Sequence, residues 1–138
     1  MVGKSTSPNA KEKQRLEILK EHCPCLLCLL SKGKVRLPDI QHIVAGFKRL
    51  GQAASYSSCE WHHRGIVPDG YTRQQIMGYL GPSLAMGKRT FTEEYGSEQL
   101  LLAVQNYILE SYARYQWLDY AVPPIVRDTA KQMWIYGK

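Results

Sequence analysis

In the second half of the chain, apolar positions recur at helical spacing. Leu101, Val104, Ile108, Tyr112 and Tyr115 follow one another at intervals of 3, 4, 4 and 3, which lays one stripe along a helix. Ser97 is placed to cap that helix, which the pattern carries to about Leu118; its tyrosines read as core. TRQQIMGYL predicts a shorter helix ended by Gly81-Pro82, and Thr90 with Glu93 has the spacing of a capping box for another that stops at Gly96. After Pro123-Pro124, IVRDTAKQMWIYGK can form one more helix. The first half reads differently. Residues 10–22 predict a basic helix with Leu16, Ile18 and Leu19 as its apolar contacts, ended at Pro24. Residues 23–30 read as a cysteine-bearing turn. KVRLPDIQHIV, residues 34–44, reads as extended, with Pro38 breaking two short strands. A glycine-punctuated loop over 45–54, a returning strand at 55–59 and a short helix or turn at Glu60–Arg64 cut by Gly65 complete it. The fold class is α+β, with a flexible basic arm over residues 1–20 and one domain over 21–138.

Composition adds limits. At 138 residues with 44% hydrophobic positions, the chain can bury one core. No run of about 18 apolar residues suggests a membrane span. The polar start MVGKSTSPNAKEKQRLEILKEH lacks the apolar centre of a signal peptide, so a cytoplasmic protein is expected. A net charge of +6 suggests a polyanionic partner, usually nucleic acid. The decisive feature is clustering: Cys23, Cys25, Cys28 and Cys59 share the window 22–63 with His22, His42, His62 and His63, and neither type occurs elsewhere.

Cys25-Leu-Leu-Cys28 is a CxxC pair and Cys59-Glu-Trp-His62 a CxxH pair. Together they supply the closed thiolate and imidazole set that structural zinc prefers, and a two-residue spacer lets both ligands of a pair turn inward. The C-P-C spacing is too tight for Cys23 to join, so it reads as a spare thiol; His22 reads as a helix-end cation. His63 diverges from His62 by roughly 100° around a helix and is free for another task. His42 lies in an extended segment beside Gln41. A neutral imidazole next to an open divalent-metal site can deprotonate water.

The combined pattern resembles the HNH, or ββα-metal, nucleases, and more closely the phage recombination-enhancement, RecA-dependent nuclease family. The residues that carry the resemblance are Pro24-Cys25-Leu-Leu-Cys28, Gln41-His42-Ile43, Gly46-Phe47-Lys48-Arg49-Leu50-Gly51, Cys59-Glu-Trp-His62-His63-Arg64-Gly65, Gly81-Pro82-Ser83-Leu84-Ala85, Phe91, Tyr95-Gly96 and Glu98 with Leu100-Leu101. They span roughly residues 20–110. The resemblance implies a small zinc-stapled ββα-metal core with additional C-terminal helices: a hairpin around the 46–51 loop and a helix carrying His63. It makes His42 the general base, and Gln41 and His63 ligands of a catalytic Mg²⁺ or other divalent ion, beside structural Zn²⁺ on Cys25, Cys28, Cys59 and His62. Relatives often carry His-His at Gln41-His42. No asparagine stands at the middle position of the HNH triad, and Glu93 or Glu94 is available as a further ligand.

By the same resemblance the chain is an endonuclease hydrolysing DNA phosphodiesters, in a phage or prophage recombination setting within a bacterial cell. DNA, single- or double-stranded, and a RecA filament are the implied partners, with the protein a monomer. Lys48, Arg49, Arg64, Lys88 and Arg89 are the candidate phosphate contacts, with Arg64 also clamping the reacting phosphate. The competing readings are a catalytically weak or inactive zinc-stapled DNA-binding module, marked by Gln41, and a recombinase-interacting module.

Overall fold

A computed structural model describes residues 7–45 and 48–138. Helix α1 (Ala10–His22) opens on a capping box in which Asn9 and Glu12 satisfy each other's backbone. Leu19 is its fully buried residue, and Arg15 ties it to the body. The Arg15 guanidinium donates to the Ser55 carbonyl at 2.6 Å and to Asn106 at 2.7 Å. Residues Leu26–Lys32 form helix α2, where a turn was expected. The run LLCLL is apolar on every side, which suits a helix buried all round, and Leu26, Leu27, Cys28, Leu29 and Leu30 are all inside.

Strand β1 (Asp39–His42) pairs antiparallel with β4 (Ser55–Ser58), setting Asp39 opposite Ser58, Gln41 opposite Tyr56 and His42 opposite Ser55. Two-residue strands β2 (Val44–Ala45) and β3 (Lys48–Arg49) extend the hairpin. Ile43 links the two ladders, donating to Ala54 and accepting from Leu50. The return path through 50–54 is longer than the single residue opposite it, so Gln52 swings in beside the sheet. Gly46, Phe47 and the side chains of Lys48 and Arg49, two expected DNA contacts, lie outside the described residues.

Helix α3 (Glu60–Arg64) follows β4 directly and ends at Gly65, as the sequence predicts. Gly65 has φ +71, and a Cβ there would meet Ala85 at 3.0 Å. Glycine therefore lets the turn after Gly81 close over α3. Helices α4 (Arg73–Leu80), α5 (Lys88–Tyr95), α6 (Glu98–Tyr115) and α7 (Pro124–Gly137) follow, α6 packing on β4 and α7 on both α6 and α2. The capping box belongs to α4, through Thr72 and Gln75. Thr90 lies inside α5, which starts two residues earlier at Lys88 behind Gly87, so the expected Thr90–Glu93 box is not formed. Helix α6 stops at Tyr115, short of Leu118, because Gln116 turns left-handed and donates to the Tyr112 carbonyl. That turn buries Trp117, whose indole donates to the His22 carbonyl at 2.9 Å. His22 itself stacks on Tyr112 and bonds the Asp119 carbonyl, so it serves packing as well as charge. Tyr115, expected inside, is exposed. No helix among the described residues is long and apolar enough to cross a membrane.

Candidate metal centre and active site

Two helix starts build the first cluster. Cys25 caps α2 and Cys28 lies in its first turn; Cys59 caps α3 and His62 lies in its first turn. All four side chains are buried. The Nδ1 atom of His62 lies 3.5 Å from Cys25 Sγ, 3.5 Å from Cys28 Sγ and 3.2 Å from Cys59 Sγ, and the sulfurs of Cys28 and Cys59 are 4.0 Å apart. Four ligands around zinc at about 2.0–2.3 Å would stand roughly 3.5–3.8 Å from one another, so the donor set fits. The four residues could hold a structural metal such as zinc.

The outer shell of this cluster explains several motif positions. His62 Nε2 donates to the Leu80 carbonyl at 2.8 Å, which leaves Nδ1 as the lone-pair atom facing the sulfurs. Tyr95 also donates to Leu80, and its hydroxyl lies 3.1 Å from His62 Nε2. Gly81 passes so close to Tyr95 that a Cβ would overlap its hydroxyl oxygen. Burial opposes a charge on His62, but hydrogen bonds and charges from Cys25 and Cys59 outweigh it and raise the imidazole to about 10. Cys23 stands apart: burial, its strongest influence, pushes that thiol up to about 12. It stays a protonated, packed thiol.

His63, the next residue, faces elsewhere. Its Nδ1 lies 3.0 Å from Asp39 Oδ2 on β1, and Arg64 Nε lies 2.9 Å from the same oxygen. Arg64 also reaches Glu60 at 3.7 Å. Asp39 was not singled out in the sequence, where it is one acidic residue after a proline. Strand alternation was the available signal, since Asp39 shares a face of β1 with Gln41.

Gln41 is 1% exposed. Its Nε2 donates to Glu98 Oε2 at 3.0 Å, while its Oε1 is buried with no partner among the described residues. Glu98, at the start of α6, is also buried and takes a second hydrogen bond from Tyr56 at 2.8 Å. Burial, then the Glu98 charge, hold the Tyr56 hydroxyl well above its usual range, so it remains a donor. Lys88 Nζ lies 3.7 Å from Glu98 Oε1 and donates to the Val44 carbonyl. Glu93 lies on the exposed face, paired with Arg89 at 3.2 Å. The buried carboxylate of this region is Glu98.

His42 Nε2 lies 2.8 Å from Gln52 Oε1. An amide oxygen accepts, so Nε2 carries the proton and Nδ1 is left as the basic atom. Gln52 escaped sequence reasoning because only the long return path brings it to His42. His42 lines an open cleft of about 410 Å³ with Val44, Leu84, Lys88 and Glu98. Among the described residues, Gln41, His42 and His63 are anchored to three different partners, Glu98, Gln52 and Asp39.

The family model described as "Recombination enhancement, RecA-dependent nuclease" matches residues 8–110. The chain belongs to this family. The matched stretch of the RecA-dependent nuclease runs from ahead of α1 into α6 and includes both clusters, from Cys25 to Glu98; α7 lies beyond it. The family name indicates a nuclease, which makes DNA a plausible substrate and RecA a named dependence. A comparison with curated proteins finds no match.

Proposed function

We propose that this RecA-dependent nuclease is a metal-dependent DNA endonuclease of HNH type, with zinc on Cys25, Cys28, Cys59 and His62 as its staple. One observation carries the reading. Adjacent residues of one short helix divide between two jobs, His62 entering the cysteine cluster and His63 meeting Asp39 on the strand that also carries Gln41 and His42. The staple thereby fixes α3 against β1. The buried Oε1 of Gln41, unpartnered among the described residues, and the Nε2 of His63 are the atoms suited to a divalent ion such as Mg²⁺. Such an ion, when bound, would stabilise charge on the scissile phosphate.

The protein's own groups do the rest. Glu98 fixes the Gln41 amide so that its oxygen, not its nitrogen, is left over. Asp39 accepts from His63 Nδ1 and sets the ring, as carboxylates set metal-ligating imidazoles. Gln52 holds the His42 tautomer whose Nδ1 takes a proton from the attacking water. Water oxygen bonds to phosphorus, the bond to the 3′ oxygen breaks, and solvent protonates that leaving oxygen. Arg64, half exposed beside Asp39, would bind the phosphate, with Lys88, which lines the His42 cleft, and Arg89 as further DNA contacts. The setting is recombination in a phage or prophage host cell, with a RecA filament as partner.

The test is cleavage by His42→Ala. Nicking of DNA with Mg²⁺ or Mn²⁺ should fall by about 10²–10⁴-fold, with zinc content and melting temperature unchanged. Full activity in that variant overturns the mechanism. Gln41 favours a second reading, because a neutral amide binds a divalent ion less strongly than a carboxylate would. Wild-type protein that binds DNA yet nicks none with either ion would make the chain a DNA-binding module with a decayed centre.

A further inference from the structure

A second feature lies on the far side of the metal knuckle. Lys34 and Arg36 follow α2, and the Arg36 carbonyl accepts from Cys25 at 2.9 Å, which pins this segment to the cluster. Across from them stand Tyr71 and Tyr79, at the start and end of the α4 region. A groove of about 410 Å³ opens between, with buried Ile76 and Leu80 among its lining. Its size lies in the range of about 300–1,000 Å³ typical of ligand clefts. The two tyrosines are 51% and 56% exposed, and their rings meet edge to face at 6.2 Å. Among the described residues, no acidic one lines the groove. The Nε of Arg36 is buried there and finds no hydrogen-bond partner among the described residues.

We propose that this groove holds single-stranded DNA, one base stacking on Tyr71 or Tyr79 and the adjoining phosphates meeting Lys34 and Arg36. Exposed aromatic rings beside cations are the recognition chemistry of unpaired bases, because every base offers a π-face and every linkage a charge. A duplex keeps its base faces stacked inside and has nothing to offer the rings. The groove also leads toward the reacting centre. Arg36 borders a neighbouring cleft of about 580 Å³ with Leu37, Pro38 and Glu60, and Glu60 pairs with Arg64, which pairs with Asp39. The inference rests on the reading of that centre as a DNA site, and adds that a strand leaving it stays unpaired along this face.

The experiment measures binding apart from cutting, on the full chain with its metal, without added Mg²⁺. The probes are fluorescently labelled oligo(dT) and a duplex of equal length, followed by anisotropy. Tyr71→Ala with Tyr79→Ala together should weaken oligo(dT) binding at least about fivefold, and leave duplex binding within about twofold. The Tyr→Phe pair keeps both ring faces and should bind oligo(dT) as wild type does. Lys34→Gln should reduce the salt slope for oligo(dT) by about 0.7. Oligo(dT) binding that is unchanged by the alanine pair, or lost in parallel with duplex binding, overturns the proposal. Zinc content of each variant reports that the knuckle is intact. The two readings fail separately: His42→Ala bears on cutting alone, the tyrosine pair on single-strand binding alone.

Discussion

Asp39 shows how much a single oxygen can organise. Its Oδ2 meets both His63 Nδ1 and Arg64 Nε, so one carboxylate sets an imidazole and a guanidinium that are neighbours in sequence. Asp39→Asn retains size but puts an amide where a charged acceptor was. On the mechanism proposed above, in which His63 would hold a divalent ion, cleavage should fall about 10–100-fold, the usual loss when the partner of such a histidine is removed, while zinc content stays at the wild-type level; normal cleavage would show that His63 needs no carboxylate. Glu98 carries a different burden. In Glu98→Ala, the buried donors of Gln41 and Tyr56 lose their acceptor. Each buried donor left unpaired costs roughly 1–3 kcal/mol, which urea unfolding should register as a lower midpoint. An unshifted midpoint would mean that water replaces the carboxylate. Neither role could be read from the chain alone. Composition presents Asp39 and Glu98 as ordinary acidic residues, and only the pleat of β1 and the packing of α6 on β4 bring them to His63 and Gln41.

Among the elements, α3 joins the two clusters and is also the one the sequence describes best. Its end at Gly65 follows from a left-handed stop, while its start at Glu60 has no side-chain cap, Cys59 preceding it in extended backbone. Gly65→Ala should disturb it twice, by forcing a side chain into φ +71 and by pressing a methyl group against Ala85. The left-handed backbone alone costs about 1–2 kcal/mol for a non-glycine residue. Thermal unfolding should therefore shift down, and cleavage should fall with it as α3 moves against β1. A variant as stable as wild type would show that the 84–86 turn yields freely. The misread elements have equally local reasons. Residues 26–30 are uniformly apolar, so no stripe distinguishes a buried helix from a turn. The Thr90–Glu93 spacing fits a capping box, but Gly87 starts α5 earlier, and at that level several polar residues would serve equally well.

Across the whole molecule, the cysteine cluster ties α2 to α3, and through Leu80 and Tyr95 it reaches α4 and α5. Trp134 of α7 continues the chain of contacts by donating to the Tyr95 carbonyl at 2.7 Å. Metal removal should therefore be felt globally. Stripping zinc with a strong chelator should lower the melting temperature and blur the tertiary signals of Trp61 and Trp134, with recovery on adding zinc back. Cys25→Ser should hold less than about one zinc per chain from the outset. A chain that melts identically with and without metal would remove the staple from the account.

The sequence by itself picked out the four residues that could hold a metal, because metal-ligand chemistry works through residue type and short spacing, and both are written along the chain. It marked the short segment, helix or turn, that separates His62 from His63, and the membership of the family whose motifs it carries. It determined the long α6 stripe too, since 3.6-residue periodicity is local. The tertiary structure alone decided which distant residues serve those positions: Asp39 for His63, Gln52 for His42, Glu98 for Gln41. Each of these pairs is set by register, by a longer return path or by a helix docking on a sheet. None of these is encoded in the residue types themselves. The groove between Arg36 and Tyr79 is of the same kind, assembled from segments that nothing in their own sequence joins.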